Sequence, residues 1–443
     1  MLKNILYLFS SNILSQVLNF ISGIIVIKMV STEDFGSYSV AVNYINIYVV
    51  VLSGLLTSTS RRFIAYYRGS NENNKVSGII RVSLIYGFVL SVVLMFYFLI
   101  FSDIISKNFL NSSSYSKFLF FYSFSIPFII FSSYFSSFLL GFEKYSAFSN
   151  SNNIFPNVFR LIFLLFWWIF LPFKEIGITL SLVFKSFINF IFSLFYLKNE
   201  FKFLKYDPKY EFRNWFKFSF PSFLRYAFSY LADNVGIIVL GSLKDNLSAG
   251  IYRGSNFIIS VLWSLNVSFT SILSPRITKL VAQNYEILAL RTLRKFFILN
   301  ALIVYFIVVF LIFFGKFVLS LLGKDYVLGY NVLIILSFQV LIGTFSSPFE
   351  VYLEAKGRTD LTLINYIVYS FSTILFLFIF TKIYSKEGTA LAYLFSVIIL
   401  SISRLLMFKI VSKNKMYNFY DYFGFLFALV LLVIIFLIVS FAF

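Results

Sequence analysis

The 443-residue sequence contains no cysteine and no histidine, and charged residues make up only 12% of it. Without these two residue types the chain has no disulfide, no thiolate or imidazole metal ligand, no Cys or His nucleophile and no histidine proton relay. The charged fraction is about half that of an average soluble domain. Most enzyme classes and a soluble fold are therefore excluded, and we expect neither a cofactor nor a metal site.

Hydrophobic residues make up 60% of the chain, and 63 residues are phenylalanine. They fall into blocks whose length, about twenty residues, is what a helix needs to cross a bilayer. Thirteen such blocks are predicted, at residues 5–30, 36–58, 78–101, 117–140, 151–171, 175–197, 217–241, 250–273, 296–322, 330–353, 361–382, 387–411 and 421–443. The sequence therefore predicts an all-α integral membrane protein, whose first block is too long for a cleaved signal peptide.

The chain has 37 Lys and Arg residues against 18 Asp and Glu residues. This excess does not indicate nucleic-acid binding, because there is no soluble domain with a basic face to bind it. If the amino terminus is cytoplasmic, most of these cations, Arg404 among them, fall in the predicted inner hinges, as the positive-inside rule requires. We therefore predict a multi-pass membrane protein with a cytoplasmic amino terminus and an outer carboxyl terminus.

Short patterns recur in the same order in the two halves of the chain. Residues 23–26, GIIV, recur at 236–239, and residues 36–38, GSY, resemble 250–252, GIY. Three further pairs keep nearly the same offset, so we predict two parallel six-helix repeats around a central cleft. The predicted domains are an N-lobe at 1–199, a cytoplasmic linker at 200–216, a C-lobe at 217–411 and one additional C-terminal helix at 412–443.

Four short motifs carry a resemblance to a known family. They are residues 33–39, EDFGSYS, at the turn into the second helix; Arg61-Arg62, which closes that helix; residues 141–144, GFEK; and residues 249–252, AGIY. With them the chain resembles the polysaccharide exporter branch of the multidrug, oligosaccharidyl-lipid and polysaccharide (MOP) flippase superfamily, in particular Wzx-type O-antigen flippases. The resemblance spans about residues 1–411, and the thirteenth segment departs from the even number of crossings usual in the family.

The resemblance implies a flippase, not an enzyme, that lies in the bacterial inner membrane and moves an undecaprenyl-diphosphate-linked oligosaccharide across it by alternating access. Its cargo would be an O-antigen or capsule repeat unit, and its partners would be the lipid bilayer and other polysaccharide assembly proteins. One alternative is a cation-coupled multidrug or metabolite antiporter of the same superfamily, for which we expect more buried acidic groups. Another is a membrane-embedded oligosaccharide polymerase or glycosyltransferase, although the longest outer hinges, 102–116 and 316–329, are short for an active site.

Five charged residues lie inside predicted membrane helices, where each costs about 2.5–3.5 kcal/mol on insertion scales and therefore indicates a function. They are Arg160, Lys185, Arg225, Asp233 and Arg253. We predict that the four cations bind the diphosphate; the alternative is that they pair with carboxylates or extend to the membrane surface. Asp233 either binds a coupling ion or neutralises Arg225. Glu350 is placed near the inner end of the tenth segment.

Polar uncharged residues inside the segments have two interpretations. They are Asn19, Asn43, Asn46, Asn256, Asn266 and Gln339. Their amides suit sugar hydroxyls, although hydrogen bonding between helices is the commoner role of such residues. The sequence has no GxxxxGK[ST] nucleotide-binding pattern, so the energy for transport must come from an ion gradient or from the cargo.

Overall fold

The computed structural model describes residues 2–412, which form helices and turns with no β-strand among them. The α-helices are α1 Leu2–Met29, α2 Thr32–Gly69, α3 Asn73–Ile104, α4 Ser116–Ser123, α5 Ile126–Gly141, α6 Tyr145–Phe148, α7 Phe155–Phe170, α8 Lys174–Leu197, α9 Phe212–Leu243, α10 Asn246–Ala282, α11 Glu286–Ser320, α12 Tyr330–Ala355, α13 Thr359–Phe376 and α14 Lys382–Ser412. The predicted thirteenth segment and the side of the carboxyl terminus lie outside the described residues.

Within residues 2–412, nine helical stretches are long and apolar enough to cross a membrane. A tenth is present if α4 and α5, which are bent by 50° relative to each other, form one span. The stretch Thr359–Ser412 contains two of the predicted segments. The helix is interrupted between them at Ser385, whose φ is 52°. The prediction of an all-α multi-pass membrane protein is therefore confirmed. The predicted eighth segment forms α10, which is helical but is not among the nine.

Helix starts follow ordinary capping chemistry. Ser31 caps α2 by accepting a hydrogen bond from the backbone N–H of Asp34 at 3.1 Å, and acidic residues occupy the first turn. Such residues interact favourably with the positive end of the helix dipole. Helices α5 and α7 begin with a proline in the first turn, where no backbone N–H needs a partner.

Two glycines of the recurring patterns meet where backbones cross. A Cβ on Gly36 would collide with the carbonyl oxygen of Asn246, and a Cβ on Gly250 would collide with the carbonyl oxygen of Thr32. Only glycine allows an approach this close. Gly36 corresponds to Gly250 in the proposed repeat, and Thr32 corresponds to Asn246, so the two contacts are equivalent. A parallel duplication predicts such a pair of contacts, although the repeat itself stays a prediction.

The chain divides into two compact units, one ending at Gly250 and one beginning at Ile251. In the first unit, α2 packs on α3, α5 and α9, while α8 packs on α5 and α7, and α1 lies against α7. In the second unit, α12 packs on α11 and α14, and α13 packs on α14. Helix α9, predicted to open the C-lobe, lies in the first unit, and the predicted lobe boundaries stay a prediction.

Candidate functional site

Three helices of the first unit each carry a line of polar residues spaced three or four positions apart. On α1 these are Tyr7, Ser11, Ser15 and Asn19; on α7 and the turn before it Asn150, Asn153, Asn157 and Arg160; and on α8 Ser181, Lys185, Asn189 and Ser193. The 3.6-residue period of the helix puts each line on one face. We call the three lines together the polar seam, because hydrogen bonds join them.

Side-chain amides connect α7 to α1. Asn153 Nδ2 donates to Asn12 Oδ1 at 2.7 Å and to Ser11 Oγ at 3.3 Å. One turn further along, Asn157 Nδ2 donates to Ser15 Oγ at 2.9 Å. Asn153 and Asn157 are both buried. Buried amides that bond between helices hold those helices in one register.

The segment Ser149–Ile154, which leads into α7, is a π-helix. Its Asn152 accepts from Asn189 Nδ2 of α8 at 3.2 Å, and its Asn150 donates to Tyr196 OH at 3.3 Å. Asn150 Oδ1 also accepts from Tyr7 OH at 2.6 Å. The wider π turn therefore lets neighbouring asparagines reach both α1 and α8. Such π turns occur frequently at functional sites.

Two of the predicted cations lie at the end of the seam. Lys185 Nζ donates to Asn19 Oδ1 at 3.2 Å, and Arg160 Nε donates to Ser181 Oγ at 3.4 Å. Arg160 is only 8% exposed, and the two cations are close enough to interact electrostatically. No carboxylate of the described chain forms an ion pair with either side chain. A buried arginine beside a partly buried lysine, with no anion to pair with, is costly in a membrane, so this arrangement favours an anionic ligand.

The structure places the other predicted site residues elsewhere. Arg225 is partly buried on α9, and Asp233, two turns further along α9, is exposed and accepts a hydrogen bond from Ser229 Oγ at 3.3 Å. Arg253 is partly buried on α10 in the second unit. The structure thus brings together Arg160 and Lys185 and assigns the remaining three to two other helices.

The sequence did not predict an ion pair in the second unit that is largely shielded from solvent. Arg404 of α14, predicted to be a hinge residue, is 6% exposed and bonds to the carboxylate of Glu350 on α12. It also donates to Ser346 Oγ at 3.1 Å and to Tyr366 OH at 3.2 Å. Glu350 is 54 residues away along the chain, so no local pattern connects the two. This pair is internally neutral.

Asn266 joins three helices of the second unit. Its Nδ2 donates to Thr344 Oγ1 at 2.6 Å, and its Oδ1 accepts from Asn300 Nδ2, also at 2.6 Å. All three side chains are buried. Asn266 therefore bonds between helices, whereas Asn19 serves the cation Lys185. In residues 2–412, no three Asp or Glu side chains lie together where they could hold a metal ion.

Comparison with known proteins gives consistent matches. A family model described as polysaccharide biosynthesis protein matches residues 1–281. The chain is 24% identical over 421 residues to the capsular polysaccharide biosynthesis protein CapF of Staphylococcus aureus, and this alignment covers 92% of the chain and 99% of CapF.

Two solved structures have similar folds. One is the lipid II flippase MurJ in an inward closed conformation, with a TM-score of 0.72, 18% identity and 98% of each chain covered. The other is an inward-facing multidrug resistance MATE family transporter of the MOP superfamily, with a TM-score of 0.72, 13% identity and coverage of 93% of this chain and 100% of that one. At these identities the likeness shows the fold alone, and it confirms the fold of this superfamily.

Proposed function

Since the chain belongs to the polysaccharide biosynthesis protein family, we propose that it is a flippase for a polyprenyl-diphosphate-linked oligosaccharide. It carries an O-antigen or capsule repeat unit across the bacterial inner membrane by alternating access. The names of CapF and MurJ support a lipid-linked glycan as cargo. The observation that carries the proposal is the Arg160–Lys185 pair, which lies within membrane helices and lacks a protein anion.

A diphosphate supplies the missing negative charge. Arg160 uses Nε for Ser181, which leaves its two terminal nitrogens to bind phosphate oxygens as a fork. Lys185 adds a point charge beside it. Hydrogen bonds between charged groups are about twice as strong as neutral ones, and the gain is realised only when the anion arrives. The predicted cations Arg225 and Arg253 complete the proposed set along the route.

The polar seam supplies groups that suit sugars. Amides both donate to and accept from hydroxyl groups. Asn157 Oδ1 is buried and has no hydrogen-bond partner among the described residues, so it is an acceptor ready for a hydroxyl donor. We propose that the glycan passes along the seam while the polyprenyl tail stays in lipid. Asp233, which is exposed on α9, is the proposed site of the coupling ion.

Because the fold is similar to that of a MATE transporter, a second candidate function is a cation-coupled multidrug or metabolite antiporter. Such a transporter needs a buried carboxylate that is available to bind a cation. The polar seam contains no carboxylate, and Glu350 is bonded to Arg404. The cationic site favours an anionic cargo over a cationic drug. The structurally similar proteins are transporters, which argues against a polymerase or glycosyltransferase.

Replacing both cations tests the proposal. In a strain that lacks the native gene, Arg160→Gln with Lys185→Gln should reduce surface polysaccharide at least about tenfold, because a hydrogen bond to a charged group contributes about 1.5–3 kcal/mol. Arg160→Lys with Lys185→Arg keeps the charges and should retain part of the export. Lys316→Gln, which removes an exposed cation, is the matched control. Normal export by a double Gln variant at wild-type membrane levels would refute the proposed site.

A further inference from the structure

The predicted linker, residues 200–216, connects α8 to α9 and is bound to the surface of α3. It begins with a 3-10 turn, Glu200–Lys205, and its backbone is held by side chains of α3. Arg81 Nη2 donates to the carbonyl oxygen of Leu204 at 2.7 Å, and Ser77 Oγ donates to that of Tyr206 at 2.9 Å. The linker therefore has a defined inner side, which faces the protein.

Backbone contact reinforces this attachment. The N–H of Lys209 donates to the carbonyl oxygen of Asn74 at 3.0 Å. A Cβ on Gly78 would collide with the carbonyl oxygen of Lys209, so the linker lies directly on the backbone of α3. The side chain of Lys209 is exposed and takes no part in these contacts.

The two glutamates of the linker also point to the protein. Glu211 pairs with Lys75 Nζ at 2.7 Å and accepts from Tyr67 OH at 2.9 Å, while Glu200 pairs with Lys144 at 2.8 Å. The hydrogen bond from Lys75, followed by that from Asn214, lowers the pKa of Glu211 to about 2. Both glutamates are therefore paired with cations of the protein, Lys75 in α3 and Lys144 in the turn between α5 and α6.

The exposed residues of the linker and of the first turns of α9 have a different composition. The cations among them are Lys202, Lys205, Lys209, Arg213 and Lys217. The aromatic residues among them are Tyr206, Tyr210, Phe212 and Phe216, of which Phe212 is 59% exposed. Asp207 is the one exposed acidic residue between Lys202 and Lys217. We call these exposed residues together the linker surface; it combines five cations with four aromatic rings and lies where α8 ends and α9 begins.

We propose that the linker surface binds the headgroups of anionic phospholipids in the leaflet at which α8 ends. Lysine and arginine close to a membrane attract anionic lipids, and aromatic side chains settle at the boundary between lipid and water. The two glutamates pair with cations of the protein while five cations are exposed, so the exposed residues carry the positive charge that this partner requires. Because the linker is hydrogen-bonded to α3, lipid bound to the linker surface would stabilise the folded protein.

Thermal denaturation of the purified full-length protein in detergent tests the proposal. Added phosphatidylglycerol should raise the midpoint temperature, and phosphatidylcholine should not. The variant Lys205→Gln, Lys209→Gln, Arg213→Gln, Lys217→Gln should lose most of that shift. The matched control, Lys244→Gln, Lys316→Gln, Lys324→Gln, Lys382→Gln, removes the same charge from the predicted outer side and should keep it. High salt should reduce the wild-type shift.

Three outcomes would overturn the proposal. The first is an equal phosphatidylglycerol shift in the two quadruple variants. The second is protection of the wild type by phosphatidylcholine to the same extent. The third is protection by undecaprenyl diphosphate with none from phosphatidylglycerol, which would assign the surface to the cargo. If the linker variant does not fold, the pair Arg213→Gln, Lys217→Gln should lose about half of the shift. The result is independent of export, so it also distinguishes this proposal from the flippase itself.

Discussion

Two buried arginines in membrane helices show what separates a structural charge from a candidate binding charge. Arg160 in the first unit and Arg404 in the second are almost equally buried, at 8% and 6% exposure. Arg404 is neutralised by Glu350 and lies 5.7 Å from the ring centre of Tyr366. Among the described residues, the side chain of Arg160 bonds only to the neutral oxygen of Ser181, and its charged neighbour is the cation Lys185. The two arginines do not differ in burial. They differ in whether a carboxylate of the protein neutralises the arginine.

The largest effect that the comparison predicts is on folding. Arg404→Met leaves the carboxylate of Glu350, whose side chain is only 15% exposed, without the cation it pairs with, and breaking a buried pair in this way costs about 3–5 kcal/mol. We expect little folded protein in membranes and a strongly lowered midpoint of thermal denaturation. The double variant Arg404→Met, Glu350→Met removes both charges and should recover most of the loss. A stable single variant would show that the pair is not what holds α12 to α14.

The same measurement on the other site should give the opposite sign. Arg160→Gln with Lys185→Gln removes two neighbouring cations that no protein anion compensates, so the folded state loses a repulsion and gains neutral amides. We expect a midpoint temperature equal to or above that of the wild type, although export falls. If this variant is destabilised as strongly as Arg404→Met, the two regions do not differ and the cations of the seam are structural.

A smaller effect is expected for the buried amides of the polar seam that join α7 to α1. Asn153→Leu removes two hydrogen bonds to α1, and bonds of this kind between membrane helices average about 0.6 kcal/mol each. The predicted loss is about 1 kcal/mol of stability with a partial loss of export. Asn43→Leu serves as the control, because that amide bonds to Ser39 within its own helix. An effect of Asn43→Leu on export as large as that of Asn153→Leu would argue against a special role for the seam.

The smallest effect concerns a compensated pair outside the membrane, Glu211 with Lys75. The folded-state pKa of Glu211, about 2, lies below its ordinary value of 4.5, so the pair stabilises the protein above pH 4.5. This stabilisation is lost as the pH falls from 4.5 toward 2. Glu211→Gln should lower the midpoint temperature slightly at pH 7 and reduce its decline below pH 4.5. If Glu211→Gln lowered the midpoint temperature as much as Arg404→Met, the claim that an ion pair matters more inside the membrane than outside it would be contradicted.

Much of the fold could be predicted because lipid imposes strong rules on a sequence. Each apolar block between residues 5 and 411 coincides with helix, since a backbone in hydrocarbon must satisfy its own hydrogen bonds. Arg160 and Lys185 were identified because cations in such blocks are rare. The spacing of Asn150, Asn153 and Asn157 already predicts one polar face, which could have led to the seam.

Other features depended on contacts that the sequence does not encode locally. Nothing near Arg404 indicates that Glu350 faces it from another helix. The linker has the charge expected of a membrane-facing segment, but its attachment to α3 needs the backbone contacts of Lys209 and Gly78. Whether Arg225, Asp233 and Arg253 belong to the transport route stays a prediction, because they lie on helices other than those of the seam.

The central claim is that Arg160 and Lys185 bind the diphosphate of the cargo. It is tested most directly by measuring the binding of undecaprenyl diphosphate to the purified protein in nanodiscs. Wild-type protein should bind this lipid, and Arg160→Gln with Lys185→Gln should weaken binding at least about tenfold while the protein stays folded. Undecaprenol, which lacks the diphosphate, should bind equally poorly to both. Unchanged affinity of the double variant for undecaprenyl diphosphate would contradict the account.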